Sequence, residues 1–273
     1  PTPNRLMIDA VRYVLNQARL AGKPVAINLS IGNFSERQDG ATADCVAIDT
    51  LLNNNSVGTA IVFAAGNEAD MSFHAAATVP AGPTATLTLE YLMPEKDATS
   101  RTFAVRYTGS NLQAKLTSPV AGAAGVINWV ASGANGASVT ANGAGNTVSL
   151  INNANRIVVG ISRAPGKNNV GGTWKLELRD SGSTATAIDA FCNDSNAHKD
   201  PRFLNHGNPR RTIDETAAGL QCIAVGAYRE GGRLSAFSSR GPTSDTPVRA
   251  KPEICVPGED ICSAGLPKNR TGC

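Results

Sequence analysis

The chain has 273 residues, 41% of them hydrophobic and 17% charged, enough apolar material for one large domain or two ordinary ones. Lys and Arg number 25 against 22 Asp and Glu, a net charge of +3 that is too small and too scattered to argue for nucleic acid or an anionic membrane. No apolar run approaches the roughly 18 residues that cross a bilayer, and the first residues lack the basic and apolar segments of a signal peptide.

From Asn4 to Ala21, apolar residues fall at Leu6, Ala10, Val11, Val14, Leu15 and Ala18, the spacing of one helical face. Thr2 and Pro3 suit its start and Gly22 its end. Pro24 to Leu29 is continuously apolar apart from Asn28 and reads as a strand covered on both faces. Ala41, Cys45, Ile48 and Leu52 again repeat at helical spacing, with Asn53 to Asn55 as a stop, and a second buried run, Thr59 to Ala64, ends at Gly66. Helix, strand, helix, strand predicts an α/β fold with a parallel sheet and flanking helices.

The texture changes near Thr78. Leu87, Leu89, Tyr91; Phe103, Val105, Tyr107; Ile157, Val159, Ile161; and Trp174, Leu176, Leu178 alternate with polar residues between Gly-, Asn- and Ser-rich turns. Period two with that punctuation predicts an antiparallel β-sandwich or jelly roll. A polar connector, Asn193 to Arg211, leads back to a buried strand at Cys222 to Ala227 and a Ser-, Gly- and Pro-rich stretch. The expected organisation is an α/β domain over residues 1–75 and 206–273, interrupted by a β-sandwich insert and its connector over 76–205. The six cysteines, Cys45, Cys192, Cys222, Cys255, Cys262 and Cys273, have no CxxC spacing. Most read as small buried residues; a Cys255–Cys262 bridge stays open, because spacing does not establish bridge geometry.

Five segments in order carry a resemblance: Asn28-Leu29-Ser30-Ile31-Gly32, Phe63-Ala64-Ala65-Gly66-Asn67-Glu68, Ile223-Ala224-Val225-Gly226-Ala227, Leu234-Ser235-Ala236-Phe237-Ser238-Ser239-Arg240-Gly241-Pro242, and Lys251-Pro252-Glu253-Ile254 with Val256-Pro257-Gly258. A lone Gly-Asn is usually an ordinary turn; the ordered set resembles the subtilisin-like serine proteases, the subtilase family. The resemblance spans about residues 1 to 75 and 215 to 273, and implies the subtilisin-like sheet in incomplete form.

It implies that Asn67 donates its side-chain amide to the developing oxyanion when a nucleophile attacks a peptide carbonyl. Ser30, Ile31 and Gly32 match the edge that pairs with an extended substrate, and Ala64, Ala65 and Gly66 the other wall of the pocket for the substrate side chain. Gly272-Cys273 aligns with the Gly-Thr that precedes the nucleophilic serine, which would lie one residue further on; a shifted register that makes Cys273 the nucleophile is the alternative. The Asp-Thr/Ser-Gly and His-Gly-Thr motifs of the other triad members are absent from the sequence. Asp49, in Val46-Ala47-Ile48-Asp49-Thr50, lies where the family has a helix and reads as a solvated helix residue. His74, His198 and His206 match no triad motif and read as loop or surface positions; His198 with Asp194 or Asp200 is a weak metal candidate.

The expected function is that of an internal fragment of a serine endopeptidase, inactive by itself because an oxyanion donor without a triad gives only residual acceleration. The alternative is a pseudoprotease or regulatory module that uses the groove and the jelly-roll insert for binding. No metal site is identified; calcium is a cofactor that the resemblance implies. The expected partner is a polypeptide substrate, with no nucleic acid and no membrane. A carbohydrate or protein ligand of the insert, with Trp129 and Trp174 as a stacking platform, and self-association through exposed sheet edges are further candidates. The resemblance implies an extracellular or cell-surface parent protein.

Overall fold

The computed structural model describes residues 3–54, 58–94, 99–109, 111–119, 126–133, 137–143, 146–163, 171–192 and 201–262. They fall into two units, one of Pro1–Asn33, Arg37–Asp70 and Pro209–Cys273, the other of Phe34–Glu36 and Met71–Asn208. Strands are numbered β1 to β16 along the chain.

In the first unit, helix α1 (Pro3–Ala21) buries a seam of Ile8, Val11 and Leu15, spaced by three and four residues as one helical face requires. The seam is narrower than the sequence suggests: Leu6 and Val14 are exposed. Helix α2 (Ala43–Asn53) starts where Thr42 Oγ1 accepts from the Cys45 amide, which satisfies one orphan donor of the first turn. Strands β1 (Val25–Leu29), β2 (Thr59–Ala64), β14 (Ile223–Arg229) and β16 (Ile254–Pro257) pair in parallel, and β15 (Arg233–Leu234) adds antiparallel to β14. Phe63, Ile61, Ile48, Leu52, Ile213 and Ala224 belong to the core of this unit.

Three sequence readings need correction. Strand β1 is not covered on both faces: it alternates half-buried and exposed residues, and among the described residues its one sheet neighbour is β2. Asp49 is not solvated. It is 7% exposed, and its carboxylate accepts from the amides of Leu220 (3.0 Å) and Gln221 (2.8 Å), so it ties α2 to a segment 171 residues away. His74 is not on the surface either, as the second unit shows.

That unit contains two antiparallel sheets. One has the order β3 (His74–Val79), β12 (Thr186–Cys192), β5 (Arg101–Tyr107), β10 (Arg156–Arg163), β9 (Asn146–Asn153), β8 (Ala137–Gly143). The other runs β13 (Arg202–Phe203), β4 (Gly82–Met93), β11 (Gly172–Asp180), β6 (Leu112–Thr117), β7 (Val126–Ala131). Alternate residues of both sheets, among them Leu89, Tyr91, Phe103, Val105, Trp174 and Leu176, share one core, as period-two strands dictate. Trp174 is buried there, whereas Trp129 is half-buried with the Arg179 guanidinium 4.1 Å from its ring centroid. The two tryptophans therefore do not make one exposed stacking platform.

Three polar clusters inside this unit are matched. Arg106 and Arg156 stand directly opposite on β5 and β10, a like-charge pair that a sheet disfavours. Buried Glu36 reconciles them, accepting from Arg106 Nε and from Arg156 Nε, each at 2.8 Å. Asn152 has its Nδ2 donating to the carbonyls of Leu112 (3.0 Å) and Val130 (2.9 Å) and its Oδ1 accepting from Tyr107 (3.0 Å). His74 is 1% exposed, stacks on Phe191 at 4.7 Å and has Nε2 2.8 Å from Asp189 Oδ1; ring stacking and this polar partner make burial tolerable.

Of the cysteines, Cys45, Cys192 and Cys222 are buried as small core residues, but Cys255 and Cys262 are exposed, and no disulfide joins them. No described helix is long and apolar enough to cross a membrane.

Candidate active site

The candidate site lies in the first unit, where the parallel strands end. Ligands of open parallel sheets gather beyond the carboxyl ends of the strands, because adjacent chains part there and leave backbone groups unclaimed. The Ala65 amide still donates to Val225 O (2.9 Å), one residue past β2. Gly66 then turns the chain out with φ of +111°, a conformation that a Cβ makes costly. Asn67 follows, exposed. Two bonds hold the exit: Ser239 N to Gly66 O at 3.1 Å and Ala69 N to Phe237 O at 3.1 Å. The exposed asparagine thus sits on a loop whose backbone is anchored on either side.

Beside it opens a cavity of about 620 Å³ whose lining includes Ser30, Ala64, Ala65, Gly66, Asn67 and Phe237. Five of the seven residues that the sequence assigns to substrate binding and oxyanion stabilisation, Ser30, Ala64, Ala65, Gly66 and Asn67, therefore meet at one opening. Ile31, 52% exposed, and Gly32 continue the chain beyond β1 and are not among its lining residues. Gly272 and Cys273 lie outside the described residues, as do His198, Asp194 and Asp200.

Behind the loop is a cluster that the sequence reading passed over. The amide of Asp214 donates to Ala65 O (2.9 Å) and that of Glu215 to Asn33 O (2.8 Å), so the 214–215 segment links the two strand exits. Asp214 is 6% exposed. A Cβ on Gly32 would overlap its Oδ2, and a Cβ on Gly66 would lie 2.9 Å from its Oδ1, 2.8 Å from Ser239 Oγ and on top of Glu68 Oε2. Glycine at both positions is what lets the two carboxyls stand between the exits. Ser239 Oγ donates to Glu68 Oε2 (2.9 Å) and accepts from the Glu68 amide (3.0 Å).

Burial pushes the Asp214 carboxyl up to about 8, with the neighbouring Glu68 and then Glu215 adding to the rise. Burial likewise raises Glu68, partly offset by its hydrogen bond from Ser239. With both carboxyls ionised neither can donate to the other, and Asp214 Oδ1 has no hydrogen-bond partner; one shared proton relieves that mismatch. The signal for this cluster was present in Thr212-Ile213-Asp214, an acid next to a buried isoleucine, but its meaning depends on Gly32 and Gly66, far away in sequence.

A calcium ion takes 6 to 8 oxygen ligands. Among the described residues no group of three or more His, Cys, Asp or Glu side chains gathers to hold a metal, so no calcium ligands are assigned.

The fold is similar to a solved structure of the CspB protease of Clostridium perfringens: TM-score 0.78, 17% identity, over 98% of this chain and 56% of that one. The chain thus spans little more than half the length of that relative. A model of the subtilase family matches residues 104–272, and the chain belongs to that family. The match takes in most of the second unit together with β14 and β16 and begins downstream of Asn67, whereas the motif resemblance rests on the first 75 residues and the last 60 or so.

Proposed function

We propose that this chain is part of a serine endopeptidase in which Asn67 stabilises the oxyanion. The observation that carries the proposal is the exposed Asn67, set on an anchored loop at the carboxyl end of β2 and bordering a cavity. A fixed donor aimed at charge that develops only in the transition state accelerates acyl transfer without tightening the ground state. Ser30, Ile31 and Gly32 extend the exposed edge strand β1, where a substrate backbone can add as a further strand; Ala64, Ala65 and Gly66 face it across the exit. Residues 1–75 and 206–273 serve as the catalytic portion, a subtilisin-like parallel sheet, and 76–205 as an inserted jelly-roll module that is open to a carbohydrate or protein ligand.

The attacking serine, its base and the acid complete the mechanism in the whole protein; these 273 residues alone are inactive on this reading. The serine adjoins Gly272-Cys273. It attacks the carbonyl, the base takes its proton, and the Asn67 amide receives the negative oxygen. Calcium and an extracellular location remain parts of the proposal that rest on family membership. A fluorophosphonate probe tests the chemistry: the full-length protein should be labelled at a serine next to Cys273. Absence of labelling, together with retained peptide binding, supports instead a pseudoprotease.

A further inference from the structure

We propose that Ser239 and Glu68 are positioning residues for the oxyanion donor, a clamp that grips the backbone on both sides of Asn67 and keeps its side-chain amide aimed. This rests on reading Asn67 as that donor, and it adds what holds the donor in place.

Asn67 is exposed and follows a glycine with φ of +111°, the residue type with the most backbone freedom. Its aim therefore depends on what fixes residues 66 and 68. One residue reaches both. Ser239, 1% exposed, donates its amide to Gly66 O (3.1 Å), and its Oγ accepts from the Glu68 amide (3.0 Å). The same hydroxyl donates to Glu68 Oε2 (2.9 Å). Glu68 closes the ring from its own side: burial raises its carboxyl, and the Ser239 hydroxyl and then the backbone amides of Asn67 and Glu68 offset part of that rise. The carboxylate is thus tied to the peptide of Asn67 as well as to Ser239.

These contacts do more than fill space. A serine hydroxyl commonly bonds backbone in its own turn, whereas the amide and hydroxyl of Ser239 both go to the two neighbours of Asn67, and Glu68 is 171 residues away in sequence. The approach is so close that a Cβ on Gly66 would lie 2.8 Å from Ser239 Oγ and on top of Glu68 Oε2. A donor must sit within about 0.5 Å of its productive place, and supports that are themselves locked give that precision. A displacement of about 1 Å costs on the order of 10²-fold in rate.

The test uses the full-length protein on a cleaved peptide, with kcat and KM measured for Ser239→Ala, Glu68→Ala, Glu68→Gln, Asn67→Ala and the Asn67→Ala/Ser239→Ala double variant. Ser239→Ala and Glu68→Ala should each lower kcat about 10- to 100-fold with KM nearly unchanged. Glu68→Gln keeps an oxygen for the Ser239 hydroxyl and the Asn67 amide, and gains a donor for Asp214 Oδ1, which has no hydrogen-bond partner; its kcat should stay within a few-fold of wild type. The double variant separates positioning from general support. With the Asn67 side chain gone there is nothing to aim, and Ser239→Ala should lower kcat by no more than about 2-fold further. Thermal unfolding checks each variant, and Glu68→Ala in the Asn67→Ala background makes the same comparison where Ser239→Ala does not fold. Equal fold-losses in the two backgrounds, or a Ser239→Ala kcat within a few-fold of wild type while that of Asn67→Ala falls, overturn the proposal alone. A wild type that cleaves no peptide, or an Asn67→Ala variant with wild-type kcat, overturns the oxyanion reading and the proposal with it.

Discussion

Replacing Asp214 by Asn removes a titratable group from behind the Asn67 loop while keeping its shape. The Asp214 carboxyl holds its proton up to about pH 8 in the fold against an ordinary 3.8, so between those values the folded state binds a proton that the unfolded chain releases. Stability must then fall as pH rises through this window, since the unfolded state binds fewer protons. An isolated group with that displacement costs up to about 6 kcal/mol by pH 8. Glu68 shares the load, and a drop of roughly 2 to 6 kcal/mol is the working range. Urea unfolding followed by far-UV circular dichroism at pH 5, 6, 7 and 8, in wild type and Asp214→Asn, measures it. The variant should gain on wild type progressively from pH 5 to pH 8. Parallel curves with a constant offset would refute the reasoning, because they would mean that Asp214 titrates alike in both states.

Other substitutions address the scaffold. Gly66→Ala places a methyl group on Glu68 Oε2 and 2.8 Å from Ser239 Oγ at a φ of +111°, and should lower unfolding stability by about 2 to 4 kcal/mol in urea titrations. Glu36→Ala leaves Arg106 and Arg156 facing each other without their shared acceptor; because both arginines are more than a third exposed, the expected loss is about 2 kcal/mol, partly recovered in high salt. Asn152→Ala removes the amide that donates to the Leu112 and Val130 carbonyls inside the second unit, although Leu112 O keeps the Ser132 amide, and should cost about 1 to 3 kcal/mol, read from the denaturant midpoint.

What the sequence made legible is what a local period encodes. Leu87, Leu89 and Tyr91, or Trp174, Leu176 and Leu178, alternate because successive strand side chains point to opposite faces, and the structure places Leu89, Tyr91 and all three of the latter in one core. Helix α2 was visible for the same reason: Cys45, Ile48 and Leu52 repeat along one face, and all are buried. Burial that depends on distant partners was not legible. Asp49 looks like a surface acid until the amides of Leu220 and Gln221 are brought to it, and His74 looks exposed until Phe191 and Asp189 pack beside it.

The candidate site divides in the same way. Ser30, Ala64, Ala65, Gly66 and Asn67 lie in two short motifs, and both motifs end strands that pair in parallel, so their meeting at one cavity follows from the local pattern. Asp214 joins them only because its amide reaches Ala65 O across 149 residues of chain, and no period or motif announces that contact.

The central claim is that Asn67 acts on the transition state, and the most direct measurement is the steady-state kinetics of Asn67→Ala in the full-length protein on a cleaved peptide. The account predicts a kcat lower by about 10²- to 10³-fold with KM nearly unchanged, the signature of a donor used mainly in the transition state. A variant with kcat within a few-fold of wild type, or one whose defect lies wholly in KM, would contradict it.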